Sequence, residues 1–386
     1  MTKFSYCVSC GGCLFPFDRV DQFCLVSSDC RPWKAKADLL LCEGCGLVQR
    51  ARTEAWKQGC ARIYQSYFAY PQGSETDQKV KGRGGGALQS RSAELLKAFK
   101  INYPLLDQGT WLDIGCGQGH LLRLCAQQFP GMDLVGIDAS EASRPYIEQI
   151  ERAVFFSELE DCETPPSIIS MVHVLEHIPW PQEFLINLQK LMSKHSLLLI
   201  QIPTFIRNPI DFLIYDHGTF FTEESLGWIA NNIGFSVESM EYVSGNKELL
   251  VILKKANRRI QWMLPAKDKI EAVKKTVASS INYLEDIKRE AQRISKENHV
   301  RIFGSSIGAS WLYSELGSEG VECFLDQDQE RVGNTFLGKP ILPAVDIKLD
   351  RTVFPLDPAT RQRLLAVYGQ VDNRLSQKGA VHKADL

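Results

Sequence analysis

The sequence predicts an α/β fold, on three observations. Between Thr110 and Asp138 an apolar run, a glycine turn, a helical stretch and a second apolar run follow one another and end in an acid. Strand-like and helix-like segments then keep alternating to Lys254, which brings the count to seven strands. Seven of the twelve cysteines fall before residue 46, in paired, closely spaced knuckles. Strand, turn, helix, strand, acid is the nucleotide-binding half of a Rossmann-like sheet. The expected layout is a cysteine module over 1–60, a Rossmann-like seven-stranded domain over 61–257, and a helical linker with a smaller Rossmann-like domain over 258–386.

Bulk properties bound the function. A chain of 386 residues holds two or three domains. A net charge of -2 offers no attraction to a polyanion, so a nucleic-acid partner is not expected. No run reaches the ~18 apolar residues of a membrane span. The start, MTKFSYCVSCGGC, lacks the apolar centre of a secretory signal. The expected setting is the cytoplasm, where clustered cysteines point to a metal rather than to disulfides.

Cys7-Val-Ser-Cys10-Gly11 and Cys42-Glu-Gly-Cys45-Gly46 are two copies of one knuckle. In each, two thiolates converge and glycine permits the turn. Four thiolates suit a closed tetrahedral site, so Cys7, Cys10, Cys42 and Cys45 are expected to hold structural Zn2+ in a zinc ribbon-like module. Cys10-Gly-Gly-Cys13 is also a C-x-x-C, but glycine follows Cys10 and Cys45 alike, which makes those the symmetric pair. The insert between the knuckles is too polar for a core of its own, so the metal supplies folding energy. Downstream, residues 50–108 read as helical and connecting. Tyr64, Tyr67, Phe68 and Tyr70 form an aromatic cluster, read either as packing or as a lid, and 82–86 are a glycine break. Leu88 to Phe99 is an amphipathic helix.

Trp111 to Ile114 is the first buried strand and Gly115-Cys116-Gly117-Gln118-Gly119 the turn. The glycines let the backbone approach a ligand, and the helix opening at His120 offers free N–H groups to an anion. Asp138 ends the second strand, where a carboxylate accepts the hydroxyls of a ribose. The Gly-x-Gly-x-Gly spacing is shorter than the dinucleotide pattern. With Asp113 before it, the stretch resembles motif I of class I S-adenosyl-L-methionine (SAM) methyltransferases. That resemblance implies SAM as cofactor, held by Asp113, Gly115, Gly117, Gly119 and Asp138. Ser140 caps a helix through Ile150, and Ala153 to Phe156 is the third strand. Glu158 or Asp161 follows it, where this class contacts adenine, and Glu158 is preferred.

Ser167 to Leu175 is the fourth strand, Pro181 to Met192 a helix, Ser196 to Ile202 the fifth strand. Glu223 to Ile233 is a helix, and Val237 to Val243 with Glu248 to Lys254 close the sheet. Ligands of open α/β sheets bind at strand carboxyl ends. His177 and the long loop 203–222 therefore meet there, and the loop is apolar enough to fold over the pocket. His177 and His217 are the candidate proton-transfer groups. Asp216 orients a neighbour or acts itself, and His173 is read as packed within the fourth strand. His177-Ile178-Pro179-Trp180 is not the Asn/Asp-Pro-Pro-aromatic motif of enzymes that methylate amino groups of DNA bases.

Lys267 to Asn298 carries an apolar stripe over Val273, Val277, Ile281, Leu284, Ile287, Ala291 and Ile294. Val300 to Phe303, the Gly304–Gly308 turn, Ala309 to Leu316 and Val321 to Leu325 repeat the strand–turn–helix–strand pattern, ending at Asp326. It either binds a nucleotide portion of the substrate or packs. Residues 372–386 read as a disordered tail.

These three parts in this order resemble the sugar C-methyltransferase family. The matching stretches are the two knuckles with Leu47-Val48-Gln49, the glycine turn, Val174-Leu175-Glu176-His177-Ile178-Pro179, and Asp326 through Gly333 and Gly338-Lys-Pro-Ile341. The resemblance implies methylation of a ring carbon beside the ketone of a nucleotide-linked keto-deoxy sugar. The α-proton is removed, and the enolate attacks the methyl group. His177 matches the family's histidine after the fourth strand and His217 its base. The family's loop has Tyr-x-Glu-His where this chain has Ile214-Tyr215-Asp216-His217, with Ile214 at the tyrosine's position, so either the carbonyl-polarising phenol is missing or Tyr215 replaces it. The expected partner is a small molecule, acted on by a monomer or homodimer. An O- or N-methyltransferase of a sugar or natural product, and a zinc-ribbon RNA methyltransferase or RNA-binding protein, are the alternatives.

Overall fold

The computed structural model describes residues 6–65, 79–81, 88–103, 107–162, 165–256, 264–345 and 347–381. Tyr67, Phe68, Tyr70 and the 82–86 glycine break lie outside them. The chain opens with five short strands: β1 (Leu14–Pro16), β2 (Leu25–Val26), β3 (Pro32–Trp33), β4 (Leu40–Cys42) and β5 (Val48–Gln49). The helix α1 (Glu54–Gln65) follows, burying Trp56, Gly59, Cys60 and Ile63. Gly11 and Gly46 take φ of 70° and 71°, the left-handed conformation that closes each knuckle at low steric cost.

A hairpin of β6 (Lys79–Lys81) and β7 (Leu88–Ser90) leads into α2 (Arg91–Asn102). The helix begins three residues later than the apolar pattern indicates, because the Ser90 hydroxyl accepts from the Ala93 N–H and caps it there. The central sheet follows: β8 (Gln108–Ile114), α3 (His120–Gln128), β9 (Gly131–Ile137), α4 (Arg144–Ile147), β10 (Ala153–Phe156), β11 (Ile168–Val172), α5 (Pro181–Leu191), β12 (Leu197–Pro203), β13 (Thr219–Phe220), α6 (Glu223–Asn232), β14 (Phe235–Val243) and β15 (Glu248–Lys255). The seven strands run in the order β10-β9-β8-β11-β12-β15-β14, with β15 antiparallel to its neighbours. The order reverses between β8 and β11, and open α/β sheets bind ligands at such a switch point.

Three segments differ from the sequence reading. The helix expected from Ser140 to Ile150 is a 3-10 turn over Glu141–Ser143 followed by the short α4, since Pro145 has no N–H to continue a ladder and restarts the helix. The fourth strand stops at Val172, because His173 adopts a left-handed φ of 55°, and Leu175–His177 form a 3-10 turn. The tail is helical as far as Val381.

The strand β13 pairs with β5, so the loop after β12 adds a fourth strand to the β1-β4-β5 sheet of the cysteine module. Its apolar side chains do not drape over the pocket. Phe205, Ile210, Phe212, Leu213 and Phe220 enter a core shared with Val26, Val48, Ile63 and the C-terminal helices. Each such side chain contributes ~1.5–3 kcal/mol by leaving water, which fixes the loop firmly. The helix α7 (Lys267–Ser295) buries Val277, Ile281, Leu284, Ile287, Ala291 and Ile294 in the same core. The last unit comprises β16 (Val300–Phe303), α8 (Ile307–Leu316), β17 (Val321–Asp326), β18 (Thr335–Phe336), β19 (Lys339–Pro343), β20 (Thr352–Val353) and α9 (Pro358–Val381). Its sheet order, β18-β19-β17-β16-β20, with parallel β16–β17 and β17–β19 pairs, is a small Rossmann-like arrangement. Among the described residues no helix is long and apolar enough to cross a membrane.

Candidate active site

The glycine turn closes onto β9 through Gly115 and Cys116, whose N–H groups donate to the Ile137 carbonyl at 2.7 and 3.0 Å. Gly115, Gly117 and Gly119 all have positive φ. A Cβ at Gly119 would lie 2.6 Å from Ile147 and one at Gly115 2.4 Å from Val174, so both glycines are required by packing as well as by conformation. A Cβ on Gly117 would meet nothing within 4 Å, so the turn is open on that side. Asp138 stands beside it: one carboxylate oxygen accepts from the Gly117 N–H and the other from the Ser140 N–H, both at 2.9 Å. Open turn, free helix N-terminus and strand-end carboxylate fit an amino-acid carboxylate and a ribose, as SAM requires. Glu158 is exposed just after β10.

Asp113 lies inside the sheet rather than on the open face of the turn. It is 4% exposed and accepts from the Ser170 hydroxyl at 2.6 Å, which accepts in turn from the Trp111 indole N–H at 2.9 Å. Burial pushes its carboxyl up to about 7, against the Ser170 bond.

Val174 packs on Gly115, so the segment that follows β11 borders the glycine turn. This segment carries His177, whose ring meets that of His217 edge-on with centroids 4.6 Å apart. Nδ1 of His217 is 2.7 Å from Asp211 Oδ1, and both side chains are buried. Nδ1 of His177 lies 2.9 Å from the Tyr64 hydroxyl and 3.3 Å from Asp216 Oδ2. Burial opposes a charge on His177, but its bond to Asp216 and the charges of Asp216 and Glu176 prevail and raise its pKa. Burial likewise opposes the Asp216 carboxylate, yet His177, His217 and Ser28 hold it below the usual range. Ser28 donates to Asp216 from its backbone at 2.9 Å and from its hydroxyl at 2.5 Å.

Tyr215 is not part of this group. Its hydroxyl donates to the Ala55 and Trp56 carbonyls at 3.2 and 3.3 Å, in the first turn of α1. Tyr64 lies eight residues further along that helix, about 12 Å away at 1.5 Å per residue. The phenol beside the histidines is thus Tyr64, and the Tyr215 expectation is corrected. His173 is not packed in an apolar strand either. It bridges Glu176 and Glu248 at 3.1 Å each, and its pKa rises to about 9: burial and Arg91 oppose the charge, and the two carboxylates overcome them.

Two buried arginines hold the loops together. Arg50 donates to the carbonyls of Asp38, Phe212 and Ile214. Arg52 donates to the Pro179 carbonyl at 2.9 Å, just after His177, and to the Gly218 carbonyl at 2.6 Å, just after His217. Gly218 in turn donates its N–H to the Glu176 carbonyl at 2.8 Å. Sequence reading missed Arg52, Asp211, Ser28 and the role of Tyr64. Asp211 left one signal, a lone acid inside the apolar run Pro209-Ile210-Asp211-Phe212-Leu213.

The four knuckle cysteines converge, their sulfurs lying within 4.8 Å of one another. Cys7 and Cys45 are 3.6 Å apart, Cys10 and Cys42 3.3 Å, and Cys13 stays exposed outside the group. Zn–S bonds of about 2.3 Å place tetrahedral sulfurs ~3.8 Å apart, so the donor set fits zinc.

Residues 87–240 match the family model described as a methyltransferase domain. This stretch is a methyltransferase domain. Trans-aconitate 2-methyltransferase of Methylobacterium radiotolerans is 28% identical over 122 residues, 31% of this chain and 45% of that one. (S)-tetrahydroprotoberberine N-methyltransferase of Eschscholzia californica is 32% identical over 103 residues, 24% of this chain and 29% of that one. The chain thus spans less than half the length of each of these curated relatives. Among solved structures, 1,6-didemethyltoxoflavin-N1-methyltransferase of Burkholderia thailandensis, with bound 1,6-didemethyltoxoflavin and S-adenosylhomocysteine, is 17% identical with a TM-score of 0.36. It is matched over 43% of this chain and 79% of that one. The methyltransferase domain contains β8 to β12, the glycine turn, Asp138, His177 and His217.

Proposed function

We propose that the chain is a SAM-dependent C-methyltransferase of a nucleotide-linked keto-deoxy sugar, with His217 as the base. The observation that carries this reading is the buried Asp211–His217 pair at 2.7 Å, in the loop that meets the segment bordering the glycine turn. Asp211 accepts the Nδ1 proton and fixes the tautomer, which leaves the Nε2 lone pair to take the proton α to the ketone. His177, tethered by Asp216 and Tyr64, faces the same space and stabilises negative charge developing on the ketone oxygen. When bound, the cofactor supplies an electrophilic methyl group, and the departing sulfur needs no acid. The residues proposed to hold it are Gly115, Gly117, Gly119, Asp138 and Glu158, with Asp113 supporting the turn from below.

A nucleotide-linked substrate is supported by the three-part layout, which we assign to 1–60, 61–257 and 258–386. The small C-terminal sheet offers a glycine turn at Gly304 beside Asp326, as a second nucleotide-binding unit needs. Cys7, Cys10, Cys42 and Cys45 are assigned to structural zinc. Incubation with methyl-labelled SAM and a panel of nucleotide 4-keto sugars tests the reading. The expected product carries a carbon-bound methyl, and solvent deuterium enters the α position without the donor. An oxygen- or nitrogen-bound methyl rejects C-methylation and leaves methyl transfer standing.

A further inference from the structure

The carboxylate of Glu176 has no role in the reaction outlined above, yet it is buried beside the histidine pair, at 1% exposed. Its Oε1 meets Nδ1 of His173 at 3.1 Å, and its equally buried Oε2 accepts no hydrogen bond. The His173 imidazolium meets Oε1 alone, and a buried carboxylate oxygen left without a donor is costly, so Oε2 has room for a second positive partner. One carboxylate oxygen of Glu176 and one ring nitrogen each of His177 and His217 lie within 4.8 Å of one another.

We propose that Glu176, His177 and His217 form a binding site for a divalent transition-metal cation, and that its occupancy holds the catalytic pair inactive. Nδ1 of each histidine is already engaged, with Asp211 on one side and with Tyr64 and Asp216 on the other. Nε2 is therefore the nitrogen left to coordinate. A ligating histidine whose second nitrogen is held by a carboxylate is the arrangement that orients imidazoles in metal sites. Two imidazoles and one carboxylate are donors for zinc, cobalt, nickel, manganese or iron, whereas magnesium prefers oxygen alone. Bonds of about 2.0–2.1 Å bring such ligands to ~3.3 Å from one another, a closure of at most roughly 1.5 Å that side-chain rotation provides. The backbone is fixed beforehand, since Gly218 donates to the Glu176 carbonyl and Arg52 joins Pro179 to Gly218.

The inhibitory half of the proposal rests on the base role of His217. A cation on Nε2 takes the lone pair that would accept the α-proton, so the bound ion and proton abstraction exclude each other. No bond of the substrate changes.

The test uses the full chain with its thiolate site loaded with zinc. Co2+ is titrated by equilibrium dialysis with elemental analysis, with visible absorption to report the ligand type. The expected result is a second ion per chain, with d–d bands and no sulfur-to-cobalt charge transfer. Methyl transfer falls in step with its occupancy, and a mild chelator that leaves the thiolate zinc in place restores it. Glu176→Gln, and independently His177→Gln should the first variant misfold, weaken this second ion at least about tenfold. One ion per chain in the parent protein, or a second ion bound equally well by both variants, overturns the site. A second ion that accelerates methyl transfer overturns the inhibitory role and the base role of His217 together. If the second ion binds but no methyl transfer is found with any sugar, the site stands and the proposed activity falls.

Discussion

The imidazole of His177 meets that of His217 edge to face, at 86° and 4.6 Å between centroids. They arrive from different segments, one just after β11 and the other on the loop after β12, and each is held at Nδ1 by its own carboxylate. Two like groups with separate acids can be assigned separate tasks. On the proposed reading His217, with Asp211 behind it, takes the proton, and His177, with Asp216 and Tyr64, donates a hydrogen bond.

His217→Ala is expected to lower kcat by about 10²–10⁴-fold and leave the affinity for S-adenosylhomocysteine nearly unchanged. Asp211→Asn, which keeps the shape but favours the wrong tautomer, is expected to lose much of the same rate. Single-turnover kinetics and calorimetry read the two quantities. A variant with the parent rate removes His217 as base.

Asp138 accepts two backbone N–H bonds at the lip of the turn. Asp138→Ala removes a charged acceptor worth ~1.5–3 kcal/mol per bond. The expected effect is a loss of affinity for S-adenosylhomocysteine of about tenfold or more, measured below a melting temperature that itself falls with the two lost bonds. Unchanged affinity separates Asp138 from the cofactor.

The parts legible in the sequence are those specified locally. The glycine turn, the strand that ends at Asp138 and the two cysteine knuckles are each written within a few adjacent residues. Their spacing dictates their geometry. The two histidines were legible because strand ends follow from hydrophobic period and ligands gather there. The rest depends on segments far apart in the chain. Ser28 reaches Asp216 across 188 residues and Arg52 reaches Gly218 across 166, and no periodicity encodes either. Tyr215 was misread because adjacency to His217 in sequence says nothing about where a phenol finds its acceptors. The apolar loop was misread as a cover because β13 finds a strand partner, β5, in a module more than 150 residues upstream.

Asp113 makes a pH prediction. Its carboxyl sits at about 7 in the folded protein against an ordinary value of 3.8. Between those values the folded state binds more protons than the unfolded state, so stability falls as pH rises from about 4 to 7 and then levels. Asp113→Asn, which keeps an acceptor for Ser170, is expected to flatten that fall and to melt higher than the parent at pH 8. At pH 4 the two should be nearly equal. Melting curves across this range decide it, and parallel profiles would show that the carboxyl ionises normally.

Arg52 is a positioning residue, because it touches the backbone on both sides of the histidine pair and not the reacting atoms. Arg52→Lys keeps the charge and loses the planar fork that reaches Pro179, Gly218 and Thr219 together. The expected result is kcat reduced about tenfold or more with KM little altered. A KM change alone would place Arg52 in substrate binding instead.

The last prediction joins the cysteine module to the active site. The knuckle Cys42–Cys45 leads directly into β5, which pairs with β13 at Thr219 and Phe220, two residues from His217. Arg50 N–H also donates to the Gly218 carbonyl. On the proposed assignments of zinc to the knuckles and of the base to His217, loss of the metal releases the strand that aims the base, while the glycine turn, built from β8, β9 and α3, keeps its own support. Removal of the metal by a strong chelator is expected to abolish methyl transfer, to raise amide exchange over 215–220, and to leave S-adenosylhomocysteine binding largely intact. Cys42→Ser should do the same and reduce folded yield. If the metal-free chain remains folded with those amides as protected as before, the module does not govern the base.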